Sequence, residues 1–225
     1  MYHFNHQVYQ KRREILLSKL DGKAAIIPGA NLVKHHSDCE YPFRQDSDFW
    51  YLTGFDEPNS IALFLSHKSI GERFILFVNP KEAYSEVWNG FRSGIEGAET
   101  VFMADKAHEV NQFKELLPNY LHGAEEIVFA VGRNPKIEAI ILDTWSNQLQ
   151  RYPSVGSAPN SIKSPSLYLN EMRLLKSDYE IERMREAVQI SAEAHELVRN
   201  NISLKNNERQ VQGLIEGYFL EKGAR

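Results

Sequence analysis

Residues 61–78 read IALFLSHKSIGERFILFV. Two apolar runs of strand length, Ile61 to Leu65 and Phe74 to Val78, flank a polar connector that contains Gly71, and a hairpin is the simplest pairing. Toward the N-terminus, Ala24 to Ile27 is a further short apolar run, closed by Pro28 and Gly29, and reads as a buried strand. Before it, Asn5 to Leu20 has helical spacing, with Val8, Ile15, Leu16 and Leu20 on one side. Asn5 is placed as an N-cap and Gly22 as a stop. Asn31 to Pro58 has no clean period; it reads as irregular structure around a short strand near Phe49 to Thr53.

On the C-terminal side of the hairpin, residues 81–97 mix polar, aromatic and glycine residues. A strand is expected near Thr100 to Met103, a helix over His108 to Leu121 and a strand over Ile127 to Val131. Pro135 suits the first position of a helix running to about Tyr152. Apolar strands interspersed with amphipathic helices point to an α/β layer domain. The composition then changes: YPSVGSAPNSIKSP, from Tyr152 to Pro165, is rich in proline and serine and is the best candidate for a domain boundary. Beyond it, Ser177 and Glu180 form a capping box. Ile181, Met184, Val188, Ala192 and His195 follow at helical spacing. A second helix opens near Asn207, carries Val211, Leu214, Ile215 and Phe219 on one face, and ends at Gly223. Two such helices present an apolar stripe that needs a sheet or more helices to cover it, so this part reads as the beginning of an unfinished domain.

Composition narrows the function classes. The 225 residues are 42% hydrophobic and 25% charged, with a net charge of −4. That balance argues against nucleic acid or an anionic membrane as the main partner, since both reward a basic surface. A single cysteine, Cys39, excludes an internal disulfide. The opening MYHFNHQVYQKRR lacks the apolar core of a signal peptide, and no apolar run approaches the roughly 20 residues of a membrane span. Cytoplasm is the default reading.

The chemistry-bearing candidates are few. His35, His36, Cys39 and Glu40 are good metal-ligand types close together, but adjacent histidines seldom chelate one ion and no second cluster completes a set. Polar loop residues are the preferred reading. The same holds for Cys39 as a thiol nucleophile beside those histidines. There is no G-x-S-x-G, no P-loop and no G-x-G-x-x-G. Glu180, Glu182, Glu186, Glu193 and Glu196 lie on helix faces, where a solvated face with i,i+4 pairs is preferred. Asp178, the only aspartate after the boundary, sits beside a helix cap. Two segments stand out. Residues 41–55, YPFRQDSDFWYLTGF, are too dense in large side chains for a linker, and residues 86–94, EVWNGFRSG, place Trp88 on a glycine-flanked loop from which it could reach a neighbouring surface.

At these segments the sequence resembles the bacterial aminopeptidase P (Xaa-Pro aminopeptidase) family. DCEYPFRQDSDFWYLTGFDEP, Asp38 to Pro58, looks like the family's N-terminal signature; EVWNGFRSG is similar to its W-x-G-x-R-x-G loop. NEMRLLKS, Asn170 to Ser177, resembles the H-E-M-R-x-x-K-S entry to the catalytic domain, and Lys222 to Arg225 resembles the end of that domain's second helix. The resemblance implies an α/β N-terminal domain, a mixed sheet flanked by helices, over residues 1–152. A linker at 153–169 and the first two helices of an incomplete pita-bread domain at 170–225 would follow.

The family's enzymes release the N-terminal residue of peptides whose second residue is proline, a tertiary amide that obstructs general peptidases. By the same resemblance, two manganese ions activate a bridging water, held by two aspartates, a histidine and two glutamates. All five belong beyond Arg225, so no metal ligand and no catalytic residue is carried over. This chain is expected to bind no manganese and to be inactive alone. The resemblance further implies a homo-oligomer in which Trp88 shapes the mouth of a neighbouring subunit's substrate pocket and Asp38 lies near the same opening. Two other readings compete: a non-catalytic interaction module associating with an intact homologue, and creatinase or another pita-bread relative.

Overall fold

The computed structural model describes residues 5–155, 157–205 and 207–224. In chain order the elements are α1 (His6–Leu20), β1 (Ala24–Pro28), β2 (Lys34–His36), β3 (Cys39–Glu40), α2 (Ser47–Thr53), β4 (Ile61–Leu65), β5 (Phe74–Val78), α3 (Ala83–Asn89) and α4 (Gly94–Thr100). Then follow β6 (Lys106–Glu109), α5 (Phe113–Leu121), β7 (Ile127–Val128), α6 (Pro135–Val155), β8 (Ile162–Lys163), α7 (Ser166–Leu174), α8 (Asp178–Asn201) and α9 (Glu208–Glu221). The chain divides into two compact units, residues 1–172 and 173–225.

The first unit is built on a six-stranded mixed sheet of order β6-β5-β4-β1-β7-β8. The apolar runs of residues 61–78 form the expected antiparallel hairpin, Leu63 opposite Ile75, and β4 pairs antiparallel with β1, Leu63 opposite Ile26. The outer pairs β5–β6, β1–β7 and β7–β8 are parallel. Every residue of β4 and β5 is buried, as a strand covered on both faces requires.

Successive side chains alternate between two cores. Ala25, Ile27, Phe64, Phe74, Leu76 and Val128 face one, closed by Leu16 and Leu20 of α1, Phe49 and Leu52 of α2, and Leu169 of α7. Ile26, Leu63, Ile75, Phe77 and Ile127 face the other, closed by Phe113, Leu117 and Leu121 of α5 and Ile141 of α6. The mixed sheet flanked by helices stands as expected. Each large side chain removed from water in these layers contributes about 1.5–3 kcal/mol.

Several local expectations are corrected. The strand expected at Phe49–Thr53 is helix α2. Asp46 caps it, its carboxylate accepting from the Asp48 and Phe49 amides at 2.9 and 3.0 Å, and Gly54 ends it at φ 66°, a conformation that glycine adopts without a Cβ penalty. Phe49 and Leu52, three positions apart, both reach the core, so the aromatic density follows helical rather than strand spacing.

Thr100 is the last residue of α4, and Val101 and Met103 are exposed; the strand lies later, at β6, an edge strand with only Ala107 buried. His108 belongs to that strand, and α5 begins at Phe113 after a 3-10 turn. On α1 the buried face is Tyr9, Arg12, Arg13, Leu16 and Leu20, while Ile15 is exposed. Arg13 lies over the Phe74 ring at 4.4 Å and donates to the Leu52 carbonyl at 3.3 Å; Arg12 lies over the Tyr51 ring at 4.1 Å and donates to the Tyr51 carbonyl at 3.0 Å. The two guanidiniums thus satisfy carbonyls at the end of α2 that the helix leaves without amide partners. Burial lowers the Arg13 pKa to about 10, which leaves it charged at neutral pH.

The stretch expected as a linker is, over residues 157–169, part of the first unit. Strand β8 extends the sheet beside β7, Ile127 opposite Ile162, and Leu169 of α7 is fully buried. The Trp145 indole donates to the Pro159 carbonyl at 2.6 Å, fixing a proline-rich segment that composition alone marks as loose. Of the rest of that stretch, Pro153 to Val155 continue α6 and Gly156 lies outside the described residues.

The second unit holds α8 and α9. Ser177 and Glu180 form the expected capping box, and Asn207 caps α9 through the Gln210 amide. Tyr218 donates to Glu193 at 2.6 Å, joining the two helices. Val211, Leu214, Ile215 and Phe219 are half-buried as their spacing implies, whereas Ile181, Met184 and Val188 are exposed; Ala194 is the buried residue of α8. Arg225, part of the quoted C-terminal match, lies outside the described residues.

Candidate functional site

Asp38 and Trp88, the two residues that the resemblance singles out, occupy different settings in the first unit. Asp38 sits with Ser37 in the two-residue turn of the β2–β3 hairpin, His36 opposite Cys39. Ser37 adopts φ 46°, the left-handed region that such turns require. Every residue of both strands is exposed. The hairpin is anchored by the Tyr41 amide donating to Val33 at 2.9 Å and by edge-to-face contact of His35 with Tyr41 at 4.5 Å. It is a projection into solvent rather than a packed element.

His35, His36, Cys39 and Glu40 make no metal-holding group among the described residues. Among the described residues no group of three histidine, cysteine, aspartate or glutamate side chains could hold a metal. The residues present therefore do not fit the manganese pair that the resemblance implies. The Cys39 thiol stands 3.9 Å from the Asp38 carboxylate, and among the described residues no hydrogen bond joins it to a histidine.

Trp88 lies on helix α3, not on a loop, and the helix ends one residue after it, at Asn89. Trp88 and Phe91 are each 75% exposed, Val87 78% and Tyr84 80%. Tyr84, Val87 and Trp88 share one face of α3 by their spacing and form, with Phe91 beyond the helix cap, an exposed apolar and aromatic ridge held by polar contacts. The Gly90 amide closes the helix on the Glu86 carbonyl at 3.0 Å, and the Glu86 carboxylate accepts the Arg92 amide at 2.9 Å. Arg92 donates to the Pro80 carbonyl at 3.3 Å and the Ser93 amide to Glu57 at 2.8 Å. Lys81 lies over the Phe91 ring at 4.8 Å. Gly94 turns the chain at φ 62°, and a Cβ there would meet Lys81 Cβ at 2.9 Å, so the corner after the ridge accepts only glycine. Among the described residues no hydrogen bond or ring contact joins Trp88 to Asp38.

The scaffold under both segments is Gln45, which sequence reading placed only within a dense stretch. It is 7% exposed. Its carbonyl accepts from the Ala30 and Asp46 amides at 2.6 and 2.9 Å, and its amide donates to the Phe55 and Glu57 carbonyls at 3.1 and 2.9 Å. All its bonding groups are used, which ties the base of the hairpin to the loop that carries Glu57 and hence Ser93. The flanking polar residues on both sides of Gln45 gave no cue that it is buried.

A family profile described as aminopeptidase P, N-terminal domain, matches residues 9–129. The chain belongs to the aminopeptidase P family. It is 35% identical to the Xaa-Pro aminopeptidase of Haemophilus influenzae over 83% of this chain and 41% of that protein. It is 30% identical to the Xaa-Pro aminopeptidase of Escherichia coli over 100% of this chain and 51% of that protein. The solved structure of Pseudomonas aeruginosa aminopeptidase PepP superposes with a TM-score of 0.92 at 28% identity, covering 100% of this chain and 51% of that one. The chain spans about half the length of the curated relatives it matches.

Proposed function

We propose that this aminopeptidase P N-terminal domain is the assembly and substrate-gating part of a cytoplasmic, manganese-dependent Xaa-Pro aminopeptidase, which releases the residue preceding proline from peptides. In that reading the domain acts within a homo-oligomer: Trp88 forms an apolar wall at the mouth of a neighbouring subunit's pocket, and Asp38 stands at the same opening. The carrying observation is the ridge itself. Tyr84, Val87, Trp88 and Phe91 stay exposed on a domain that buries Phe49, Phe55, Phe64, Phe77 and Phe113 almost completely, and exposed aromatic clusters of this kind mark interaction surfaces. Rigid anchoring through Arg92, Ser93 and Gly94 lets the ridge keep its shape without a core beneath it. The 225 residues by themselves hydrolyse no peptide in this reading; among the described residues no group of three ligand-type side chains could hold a metal.

Xaa-Pro peptide turnover by the assembled enzyme carrying Trp88→Ala tests the gating role. A raised KM or lowered kcat is expected, and unchanged values of both would defeat it. Incubating the isolated chain with manganese and the same peptide tests the other half: turnover there would show that these residues hold a catalytic centre.

A further inference from the structure

Strand β1 is parallel to β7 on one side and antiparallel to β4 on the other. The chain leaving β1 reaches α2, whose Phe49 and Leu52 pack in one core, whereas the chain leaving β7 reaches α6, whose Ile141 packs in the other. The two connections thus part to opposite faces of the sheet. Crevices form beyond the carboxyl ends of parallel strands at such a parting, and small ligands bind there. The cleft in this place has a volume of about 390 Å³, within the range of small-molecule sites, and is lined by Ile27, Phe129, Arg44, Asp46, Arg133 and Asn134 among others.

The polar groups on its rim are unevenly spent. The Asp46 carboxylate is occupied by the Asp48 and Phe49 amides, and the Asn134 side-chain carbonyl by the Ile137 amide at 3.3 Å. Gln45 is saturated as described above, and Asp48 is engaged in interactions of its own. Arg44 and Arg133, one from each connection, have no carboxylate partner among the described residues. Among the groups the rim still offers are two guanidinium forks and the Asn134 amide. Helix α6, which opens at Pro135 directly after Asn134, adds the positive end of its dipole, part of which the Glu138 carboxylate already meets while accepting the Gly132 amide at 2.6 Å. A guanidinium fork matches a carboxylate or phosphate with paired, charge-assisted hydrogen bonds. We propose that this cleft binds a small ligand through an oxyanion, carboxylate or phosphate, held between Arg44 and Arg133. Binding in the cleft is independent of the gating role of Trp88, and either can fail without the other.

Titrating the 225-residue chain with succinate and, in a separate arm, with inorganic phosphate, both at constant ionic strength, tests it by amide NMR. Saturable shifts confined to Gly29–Ala30, Arg44–Asp48 and Gly132–Asn134 are expected, and the arm that saturates at lower concentration identifies the anion class. Arg44→Gln and Arg133→Gln should each weaken that saturation about tenfold while leaving the remaining spectrum in place. Shifts equalled by sodium chloride, shifts scattered over the surface, or wild-type affinity in the double variant would each overturn the proposal.

Discussion

The sheet of the first unit and the helix pair of the second carry the same kind of sequence signal and reach different ends. In β4 and β5 every residue is buried, and both faces of the sheet are covered. In the helix pair, Ala194 is the buried residue of α8 and α9 has none among the described residues. Periodicity therefore states which face of an element prefers to leave water, and only the presence of a cover decides whether it does. The first unit is held mainly by removal of apolar area; the second leans on its ends and on polar bonds such as Tyr218 to Glu193.

The largest test of that contrast is Phe77→Ala. Phe77 contacts Phe113 edge-on at 5.2 Å, Tyr120 at 6.2 Å and the His108 ring at 5.4 Å, so truncation leaves a cavity that the rigid sheet cannot close. A loss of about 3–5 kcal/mol is expected from such changes, read as the shift in urea midpoint. A loss below about 1 kcal/mol would show that this layer is loosely packed.

A second test uses pH. His67 meets the Tyr120 carbonyl at 3.0 Å near the end of α5. Burial, and next the neighbouring Lys68 charge, push its pKa below 6.5; burial and then Lys106 do the same to His108. The folded state thus favours the neutral rings. Their contribution is complete above about pH 6.5, where the unfolded rings are neutral too. It falls as pH drops toward the lower folded values, because the unfolded chain then binds more protons. Urea midpoints should decline between pH 7.5 and 5.5, and His67→Gln, which keeps a donor, should flatten that limb. An equally steep limb in the variant would assign it to other groups.

The sheet was legible because its strands are short, continuous apolar runs bounded by turn residues, as in Ile61–Leu65 and Phe74–Val78. Helix α2 was not, because Phe49, Trp50 and Tyr51 are common in strands and the element spans fewer than two turns. Its capping pair Asp46 and Gly54 was the available signal. The segment at residues 157–169 was misread because proline and serine mark local backbone habit, while its place in the fold is set by the distant partners Ile127 and Trp145. Trp88 and Asp38 are singled out by family resemblance alone. Arg44 and Arg133 are not, since two arginines 89 positions apart (133 minus 44) meet at a cleft only after the strands are ordered.

The smallest expected effect lies in the second unit. Ser177 donates to the Glu180 carboxylate at 2.7 Å, its own amide does so at 2.9 Å, and the Glu180 amide approaches the Ser177 hydroxyl at 3.4 Å. Ser177→Ala removes two of these three links and should cost about 1 kcal/mol, well below the loss at Phe77. The site of the loss matters more than its size. In a helix with a single buried residue, the first turn has little tertiary packing to hold it, and local opening there follows the cap directly. Amide exchange at Glu180, Ile181 and Glu182 should therefore quicken several-fold in Ser177→Ala and recover in Ser177→Asp, which restores an acceptor. If exchange in that turn were unchanged, packing rather than capping would hold α8, and the contrast between the two units would fail.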